Sequence, residues 1–304
     1  MNQVLGRINR VNSKISLVLS GGGARGIAHI GVIEELEKQG LEIVSLAGTS
    51  MGALVGGVYA LGKMEEFKQW VFSLNKRKIF NLIDFSFSLQ GLIKGDKVLN
   101  KMKKFIADKN IEDLKIVYSA TATDLINKKE VVFTKGSIYE AIRSSISIPT
   151  VFTPVKKENT LLVDGGIINN IPINNAKRVP GDLLIVVNVS ADVEVLTLPR
   201  SKEEARIKQS LYQKKIKNFY KRLQKTNSQS SKEEKMGYFD LINTTISLMM
   251  DNASQMSLKQ NSPDILINIS RDTCGTFDFF RAEELVEIGR YAAVKSLEKF
   301  NSAV

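Results

Sequence analysis

The sequence contains little cysteine and histidine: its 304 residues include one of each, Cys274 and His29. One thiol cannot form a disulfide within the chain, which fits a reducing compartment, and these two side chains are too few for an internal zinc site of the Cys/His type. The first fourteen residues are basic and lack the apolar core of a secretory signal, so we expect no signal peptide. We therefore expect a cytoplasmic protein without a structural zinc.

Acidic side chains are in the minority, since 43 Lys and Arg stand against 32 Asp and Glu, for a net charge of +11. This balance favours anionic partners, such as phospholipid surfaces, nucleic acid or acidic substrates, without choosing among them. Uncharged stretches of membrane-spanning length are scarce as well, and the one at residues 43–62 is diluted by five glycines and by hydroxyl side chains. A buried strand, a tight turn and a buried helix account for it better than a membrane span does.

Short apolar runs alternate with helical patterns along the first part of the chain. Residues 15–19 and 43–47 are predicted strands that end in glycine-containing turns, and helices are predicted over 27–39 and 51–61. Strand, helix, strand, helix in this order indicates a parallel sheet covered on both faces. Further strands are predicted at 115–122, 130–133, 160–163, 183–189 and 265–269, and further helices at 137–145, 201–225, 237–259 and 282–300.

These patterns predict an α/β fold, a three-layer α/β/α sandwich around a mostly parallel sheet, in a single domain over residues 1–304. The strongly apolar strand at 183–189 is expected near the centre of the sheet. Residues 67–110 show no regular pattern. A basic helical insert at about 201–260 is the segment that we expect to be most mobile.

The run Gly48-Thr49-Ser50-Met51-Gly52 matches the pattern G-x-S-x-G at the end of a predicted strand. Average glycine and serine usage produces this pattern by chance in roughly one chain in ten of this length, so the argument depends on its setting. A strand followed at once by an apolar helix is the setting of a nucleophile elbow, in which glycines allow the sharp turn that exposes the serine. Ser50 is therefore the candidate nucleophile.

A second glycine-rich turn follows the first predicted strand and comprises Gly21, Gly22, Gly23, Ala24, Arg25 and Gly26. Read as G-x-G-x-x-G, this turn could bind a dinucleotide, but that function needs an acidic residue at the end of the next strand, where the Ser50 turn stands instead. The alternative is an oxyanion hole, in which backbone N–H groups stabilise the charge that develops on an ester oxygen. Neighbouring strands bring their carboxyl-terminal turns side by side, which would place these donors next to Ser50.

A serine nucleophile needs a base, and the sequence offers two candidates. His29 follows the glycine loop, but the direction of its helix carries it away from the turn, so a packed histidine is the simpler interpretation. Asp164 ends the strand 160–163, at the sheet edge where α/β active sites form, although Asp-Gly is also a common hairpin signal. An ordinary aspartate has a pKa of about 3.9. Asp164 could therefore act as the base only in apolar surroundings and close to Ser50.

Three motifs occur in order along the chain: the glycine loop, the G-x-S-x-G turn, and Asp164-Gly165-Gly166 after a long intervening segment. Further matches are Ala120–Leu125, the helix Ala141–Ser145 leading to Ile148-Pro149, and Asn169–Pro172. Together these motifs resemble the patatin-like phospholipase family, in the branch related to neuropathy target esterase. The resemblance is clear over residues 15–172 and looser beyond them.

The resemblance implies a serine lipid hydrolase in which Ser50 and Asp164 form a catalytic dyad. The glycine loop would line the oxyanion hole, His29 would be structural, and no cofactor or metal would be required. The implied substrates are phospholipids or lysophospholipids, cleaved through an acyl-Ser50 intermediate, with peripheral contact at an anionic inner membrane face and no nucleic-acid partner. A lipid-binding protein with an inactive hydrolase fold and an acyltransferase are the alternatives.

Two further segments could contact the lipid. Residues 80–93 are apolar enough to form a lid or the wall of an acyl channel, but a packed core segment would look the same in sequence. Residues 211–225 show apolar side chains at helical spacing with lysines and arginines between them, a pattern that can lie on anionic lipid. A solvated helix docked on its own domain is the favoured interpretation of that stretch.

Overall fold

The computed structural model describes residues 14–82, 96–198 and 237–303. The backbone divides into a large unit, residues 1–196 and 243–304, and a small unit, residues 197–242, of which only the two ends are described. The predicted helix 201–225 and most of the predicted lid therefore lie outside the described residues. The same holds for the basic part of the predicted insert, and the prediction of a single domain stays a prediction.

An eight-stranded sheet forms the framework of the large unit. Its strands are β1 (Lys14–Leu19), β2 (Glu42–Thr49), β3 (Val117–Asp124), β4 (Lys129–Phe133), β5 (Val155–Lys157), β6 (Thr160–Asp164), β7 (Leu183–Ala191) and β8 (Ile265–Ser270). Seven of them follow the order β5-β6-β3-β2-β1-β7-β8, and β4 pairs with β3. Strands β3, β2, β1, β7 and β8 run parallel, whereas β4, β5 and β6 pair antiparallel with their neighbours. The predicted mostly parallel sheet is confirmed.

The described helices are α1 (Ala28–Lys38), α2 (Met51–Ala60), α3 (Met64–Phe72), α4 (Lys76–Leu82), α5 (Asp96–Met102), α6 (Ile138–Ser145), α7 (Gly166–Asn169), α8 (Tyr238–Gln260) and α9 (Ala282–Ala303). A 3-10 turn, Gly23–Ile27, precedes α1. Every residue of β1 after Lys14 is buried, as expected for a strand covered on both faces of its sheet. The α/β sandwich predicted from the sequence is the fold of the protein.

Two expectations about the sheet and its surroundings are wrong. Residues 67–110 contain helix, in α3, α4 and α5, which the sequence pattern did not predict because helices of seven to nine residues give too few turns for a clear period. Strand β7 is not central: only β8 lies beyond it, since the sheet extends in the other direction through β2 and β3. Its apolar composition reflects two covered faces rather than a middle position.

Helices α1 and α9 pack backbone against backbone at two glycines. A Cβ added at Gly31 would lie 1.8 Å from the Val286 carbonyl oxygen, and a Cβ at Gly289 would lie 1.9 Å from the Ala28 carbonyl oxygen. Only glycine fits at such distances, because real Cβ contacts are never so short. The last helix of the chain is therefore in direct contact with the helix that follows the glycine loop.

The uncharged stretch at residues 43–62 folds as the end of β2, a turn and α2. Among the described residues no helix combines the length and the apolar character that crossing a bilayer requires. The sequence interpretation of this stretch as strand, turn and buried helix is confirmed.

Candidate active site

Ser50 lies in the sharp turn between β2 and α2. Its backbone has φ 54° and ψ −122°, a conformation that is strained for a residue with a side chain. Gly52 allows this turn to pack on β1, because a Cβ there would lie 2.1 Å from the Leu19 carbonyl oxygen. The local geometry is that of a nucleophile elbow, as the G-x-S-x-G pattern predicted.

Two hydrogen bonds fix the elbow from outside its own strand and helix. The Ser50 N–H donates to Ser145 Oγ at 2.8 Å, and the Ser145 hydroxyl donates in turn to the Thr121 carbonyl oxygen at 2.6 Å. On the other side, Thr49 Oγ1 donates to the Asn169 carbonyl oxygen at 2.8 Å. The turn is therefore attached to α6, to β3 and to α7, the helix that follows Asp164.

Asp164 is the last residue of β6 and is 2% exposed, as is Ser50. Its Oδ1 accepts a hydrogen bond from the Gly166 N–H at 2.8 Å. Burial raises the pKa of the Asp164 carboxyl to about 6, although hydrogen bonds from the Ser50 side chain and the Gly166 N–H act in the opposite direction. The fold thus brings the serine and the distant carboxylate together in a buried site.

The contact between Ser50 and Asp164 is not a well-formed hydrogen bond. Asp164 Oδ2 is buried, and no hydrogen bond of good geometry reaches it from the described residues. Catalytic hydrogen bonds are often long or poorly aligned in an enzyme without substrate and shorten only in the complex. The arrangement leaves one carboxylate oxygen able to take a proton.

The glycine loop passes directly beside Ser50. A Cβ at Gly21 would lie 3.2 Å from the Ser50 Cβ and 2.5 Å from Asn170 Oδ1, so a side chain there would displace its neighbours. The Gly21 N–H donates to the Asn170 carbonyl oxygen at 3.2 Å, and the Ala24 N–H donates to the Thr276 carbonyl oxygen at 2.8 Å. Gly21 and Ala24 therefore have no free N–H for an oxyanion, contrary to the expectation for the whole loop.

Gly22, Gly23 and Arg25 are the loop residues that line the cleft together with Ser50. Gly23 has φ +58° and opens the 3-10 turn, so its N–H belongs to the unsatisfied first turn of a helix. Gly26 allows the loop to approach α2, since a Cβ there would lie 2.4 Å from the Met51 Cβ. The hydrogen bonds of Gly21 and Ala24 reduce the six candidate donors to four, and of these Gly22 and Gly23 lie at the start of the 3-10 turn, where N–H groups lack a partner within the helix.

The Arg25 side chain supports the loop from behind. Its guanidinium donates to the carbonyl oxygens of Val189 at 3.1 Å and Cys274 at 3.2 Å, and to Ser190 Oγ at 3.3 Å. These contacts tie the loop to β7 and to the segment after β8. The Arg25 side chain therefore makes structural hydrogen bonds that hold the glycine loop in place.

His29 is fully buried on α1, and its Nε2 lies 2.9 Å from the Ser20 carbonyl oxygen. Burial lowers the pKa of the imidazole to about 4, so the ring is neutral at physiological pH. Asp164, rather than His29, is the titratable side chain that contacts Ser50 within the described residues. The interpretation of His29 as a packed residue agrees with this geometry.

Comparison with known proteins now gives the family. A family model described as "Patatin-like phospholipase" matches residues 17–177, a range that holds the glycine loop, Ser50 and Asp164. The chain belongs to the patatin-like phospholipase family. The family is one of lipid acyl hydrolases, and the resemblance stated from the sequence motifs is confirmed.

The relatives of this patatin-like chain include bacterial and fungal proteins. An uncharacterized NTE family protein of Mycobacterium tuberculosis (strain ATCC 25618 / H37Rv) is 34% identical over 94% of this chain and 92% of its own length. Lysophospholipase NTE1 of Scheffersomyces stipitis is 33% identical over 60% of this chain and 12% of its own length. Among solved structures, VipD from Legionella pneumophila matches at 15% identity with a TM-score of 0.47, over 95% of this chain and 67% of that chain.

Two cavities of the patatin-like fold meet at Ser50. The first has a volume of about 950 Å³, counted out to its mouth, and is almost wholly apolar; its walls include Leu54, Phe67, Trp70, Val71, Ile79 and Phe152. The second has a volume of about 1190 Å³ and carries charged and polar side chains, among them Arg25, Asp164, Asn170, Asp251, Arg271 and Asp272. A lipid ester placed on Ser50 would therefore have an apolar space on one side and a polar space on the other.

The sequence motifs did not identify Ser145, Asn170 or Arg271 as parts of this site. Ser145 and Asn170 do lie in motifs that match the family, but nothing in those motifs states which atom each side chain reaches. Arg271 comes from the segment after β8, far along the chain. Within the described residues, no three His, Cys, Asp or Glu side chains are grouped closely enough to hold a metal ion.

Proposed function

We propose that this protein hydrolyses carboxylic esters of phospholipids or lysophospholipids, with Ser50 as the nucleophile and Asp164 as its base. One observation carries the proposal: a serine on a strained elbow contacts a buried carboxylate where an apolar cavity and a polar cavity meet. Strained backbone is concentrated at functional sites, because the surrounding fold must maintain it. A carboxyl whose pKa lies near 6 is a far better base at neutral pH than an ordinary aspartate.

In the first half-reaction, Asp164 takes the proton from Ser50 Oγ as this oxygen bonds to the ester carbonyl carbon. The carbonyl oxygen becomes an oxyanion, which the N–H groups of Gly22 and Gly23 stabilise. Collapse of the tetrahedral intermediate breaks the bond to the alcohol oxygen. The departing alcohol takes the proton from Asp164, and the acyl group stays on Ser50.

In the second half-reaction, Asp164 takes a proton from a water molecule that attacks the acyl carbon. The bond to Ser50 Oγ breaks, the proton returns to that oxygen, and a fatty acid leaves. The same carboxyl thus acts as base and then as acid in each half-reaction. A pKa of about 6 suits both roles, because the carboxyl can take up and release a proton near neutral pH. No histidine is required.

The two cavities account for the two halves of a lipid substrate. Each methylene group transferred from water to an apolar cavity contributes about 0.8 kcal/mol, so the acyl chain supplies most of the affinity when it lies along Leu54, Phe67 and Trp70. The leaving group carries the polar head and lies in the cavity beside Arg271 and Asp251. This orientation places the ester bond at Ser50, which lines both cavities.

A fluorophosphonate probe tests the nucleophile directly, because it bonds only to an activated serine. We expect the wild-type protein to be labelled and Ser50→Ala to show no labelling and no release of fatty acid from a monoacyl phospholipid. Ser119→Ala is the matched control: this serine is also buried, but its hydroxyl donates to the Asn175 carbonyl oxygen at 3.0 Å. Labelling that survives Ser50→Ala would refute the proposal.

A further inference from the structure

A short segment at the end of α6 binds the backbone of both candidate dyad residues. The Ser50 N–H donates to Ser145 Oγ at 2.8 Å, and the Asp164 N–H donates to the Ser147 carbonyl oxygen at 2.9 Å. Ser145 and Ser147 are 0% exposed. Two residues that are far apart in the sequence are therefore attached to points separated by one residue.

The Ser145 hydroxyl uses both of its hydrogen-bonding capacities. It accepts from the Ser50 N–H and donates to the Thr121 carbonyl oxygen at 2.6 Å. Thr121 is the β3 residue paired in register with Thr49 of β2, immediately before the elbow. The hydroxyl thus connects the strained residue to the strand beside it. A buried N–H left without such an acceptor costs about 1–3 kcal/mol.

The Asp164 side of the segment is held by a separate set of contacts. The Ser147 hydroxyl donates to the Arg143 carbonyl oxygen at 2.7 Å and accepts from Arg143 Nη1 at 2.6 Å. Arg143 Nη2 also donates to the Thr153 carbonyl oxygen at 3.1 Å. Ser147, which bonds to the Asp164 backbone, is therefore held by Arg143, and Arg143 is held in turn by Thr153.

We propose that Ser145 is a positioning residue, which sets the place of the Ser50 hydroxyl relative to Asp164 by holding the Ser50 backbone. The inference rests on the proposed function. Loss of the Ser145 hydroxyl frees the N–H of a residue whose φ of 54° is already unfavourable, so the turn relaxes and Ser50 Oγ moves away from the carboxylate. A displacement of about 1 Å at a reacting atom can lower a rate on the order of 100-fold.

Ser145→Ala is the test, and Ser144→Ala is its matched control. Ser144 is the preceding residue of the same helix, is equally buried, and its hydroxyl also donates to a backbone carbonyl, that of Glu140 at 2.9 Å. Both variants lose one hydroxyl at the end of α6. The Ser145 hydroxyl contacts the Ser50 turn, whereas the Ser144 hydroxyl bonds within its own helix. We expect Ser145→Ala to lower kcat on the order of 100-fold and Ser144→Ala to stay within about twofold of the wild type.

Two further readouts separate positioning from general damage to the fold. KM should change little in Ser145→Ala, because both cavities remain, whereas a collapsed site would raise it. The pH midpoint of kcat/KM should rise above that of the wild type, because the hydrogen bond from Ser50 that lowers the pKa of Asp164 is lost when the Ser50 hydroxyl moves away. If Ser145→Ala does not fold, Ser145→Cys keeps the volume with a weak sulfur acceptor and should lower kcat by about tenfold.

Equal loss of kcat in the Ser145 and Ser144 variants, or a pH midpoint that does not rise in Ser145→Ala, would overturn the inference. So would full activity in Ser145→Ala or, where that variant does not fold, in Ser145→Cys. Labelling of the Ser50→Ala protein is measured in parallel, because it decides the proposed function separately. If Ser50→Ala abolishes labelling while Ser145 behaves like Ser144, only the positioning role fails.

Discussion

The two cavities that meet at Ser50 share part of their wall, but the side chains that line them differ in polarity. The apolar cavity is lined by aliphatic and aromatic side chains from α2, α3 and α4, and the polar cavity carries two arginines and three aspartates. Both are lined by Gly23, Ser50 and Phe277. The fold therefore brings an apolar space and a polar space together at Ser50, as the proposed binding of an amphiphilic substrate requires.

The largest test of this arrangement removes the carboxylate at the boundary. Asp164→Asn keeps the shape but cannot accept the Ser50 proton, so we expect kcat/KM to fall by roughly 10²–10⁴, the usual contribution of general acid–base catalysis. Asp251→Asn is the control, since Asp251 also lines the polar cavity but pairs with Arg271. Equal losses in the two variants, measured with one monoacyl phospholipid, would show that the cavity needs charge rather than a base.

The second test is the pH dependence of turnover. Burial raises the pKa of Asp164 from 3.8 to about 6, and only the ionised carboxylate accepts the proton. We therefore expect kcat/KM to be level above about pH 7 and to fall about tenfold per pH unit well below pH 6. Assays of a neutral ester from pH 4.5 to 8.5 would measure it, and a midpoint near pH 4 would mean that the carboxyl is not buried as described.

We expect the smallest effects on substrate preference, from changes to a residue that lines one of the two cavities. Trp70 packs against Phe67 and Phe105, with ring centroids 5.7 Å and 5.9 Å away, so Trp70→Ala should widen the apolar cavity. We expect this variant to favour long or branched acyl chains over short ones by about tenfold more than the wild type does.

Arg271→Gln should instead lower the preference for a monoacyl phospholipid over a monoacylglycerol by about fivefold.

Each variant serves as the control for the other. Specificity constants for a series of acyl chains and for the two head groups would be measured for both proteins. A Trp70→Ala protein with an altered head-group preference, or an Arg271→Gln protein with an altered chain preference, would contradict the division of the substrate between the cavities. Melting temperatures would show whether either change acts by loosening the fold.

Local features of the site were predictable from the sequence, whereas long-range hydrogen bonds were not. The elbow at Ser50 follows from a strand, two glycines and an apolar helix, all within a few residues. The loss of Gly21 and Ala24 as donors depends on Asn170 and Thr276, which no local pattern connects to the glycine loop. Sequence reasoning alone left Asp164 open between a base and a turn, because its pKa depends on burial by the whole fold.

The order of the sheet shows the same limit. Strand β7 was predicted as a strand from its apolar run, but its place next to the edge depends on which strands pair, and that information is not local. The helices between residues 64 and 102 were missed for a different reason. Each has only seven to nine residues, which is too few turns for a clear helical period.

The contact between α1 and α9 bears on how small a working fragment could be. The region matched by the family model ends at residue 177, before β7, β8 and α9. Yet β7 pairs with β1, and α9 packs against α1 at Gly31 and Gly289. If α9 were removed, Gly31 would have no side chain to cover the backbone that becomes exposed. A fragment that ends at residue 177 would expose one edge of β1 and the face of α1 that α9 covers, so we expect the half that holds the candidate site to depend on the other half for its stability.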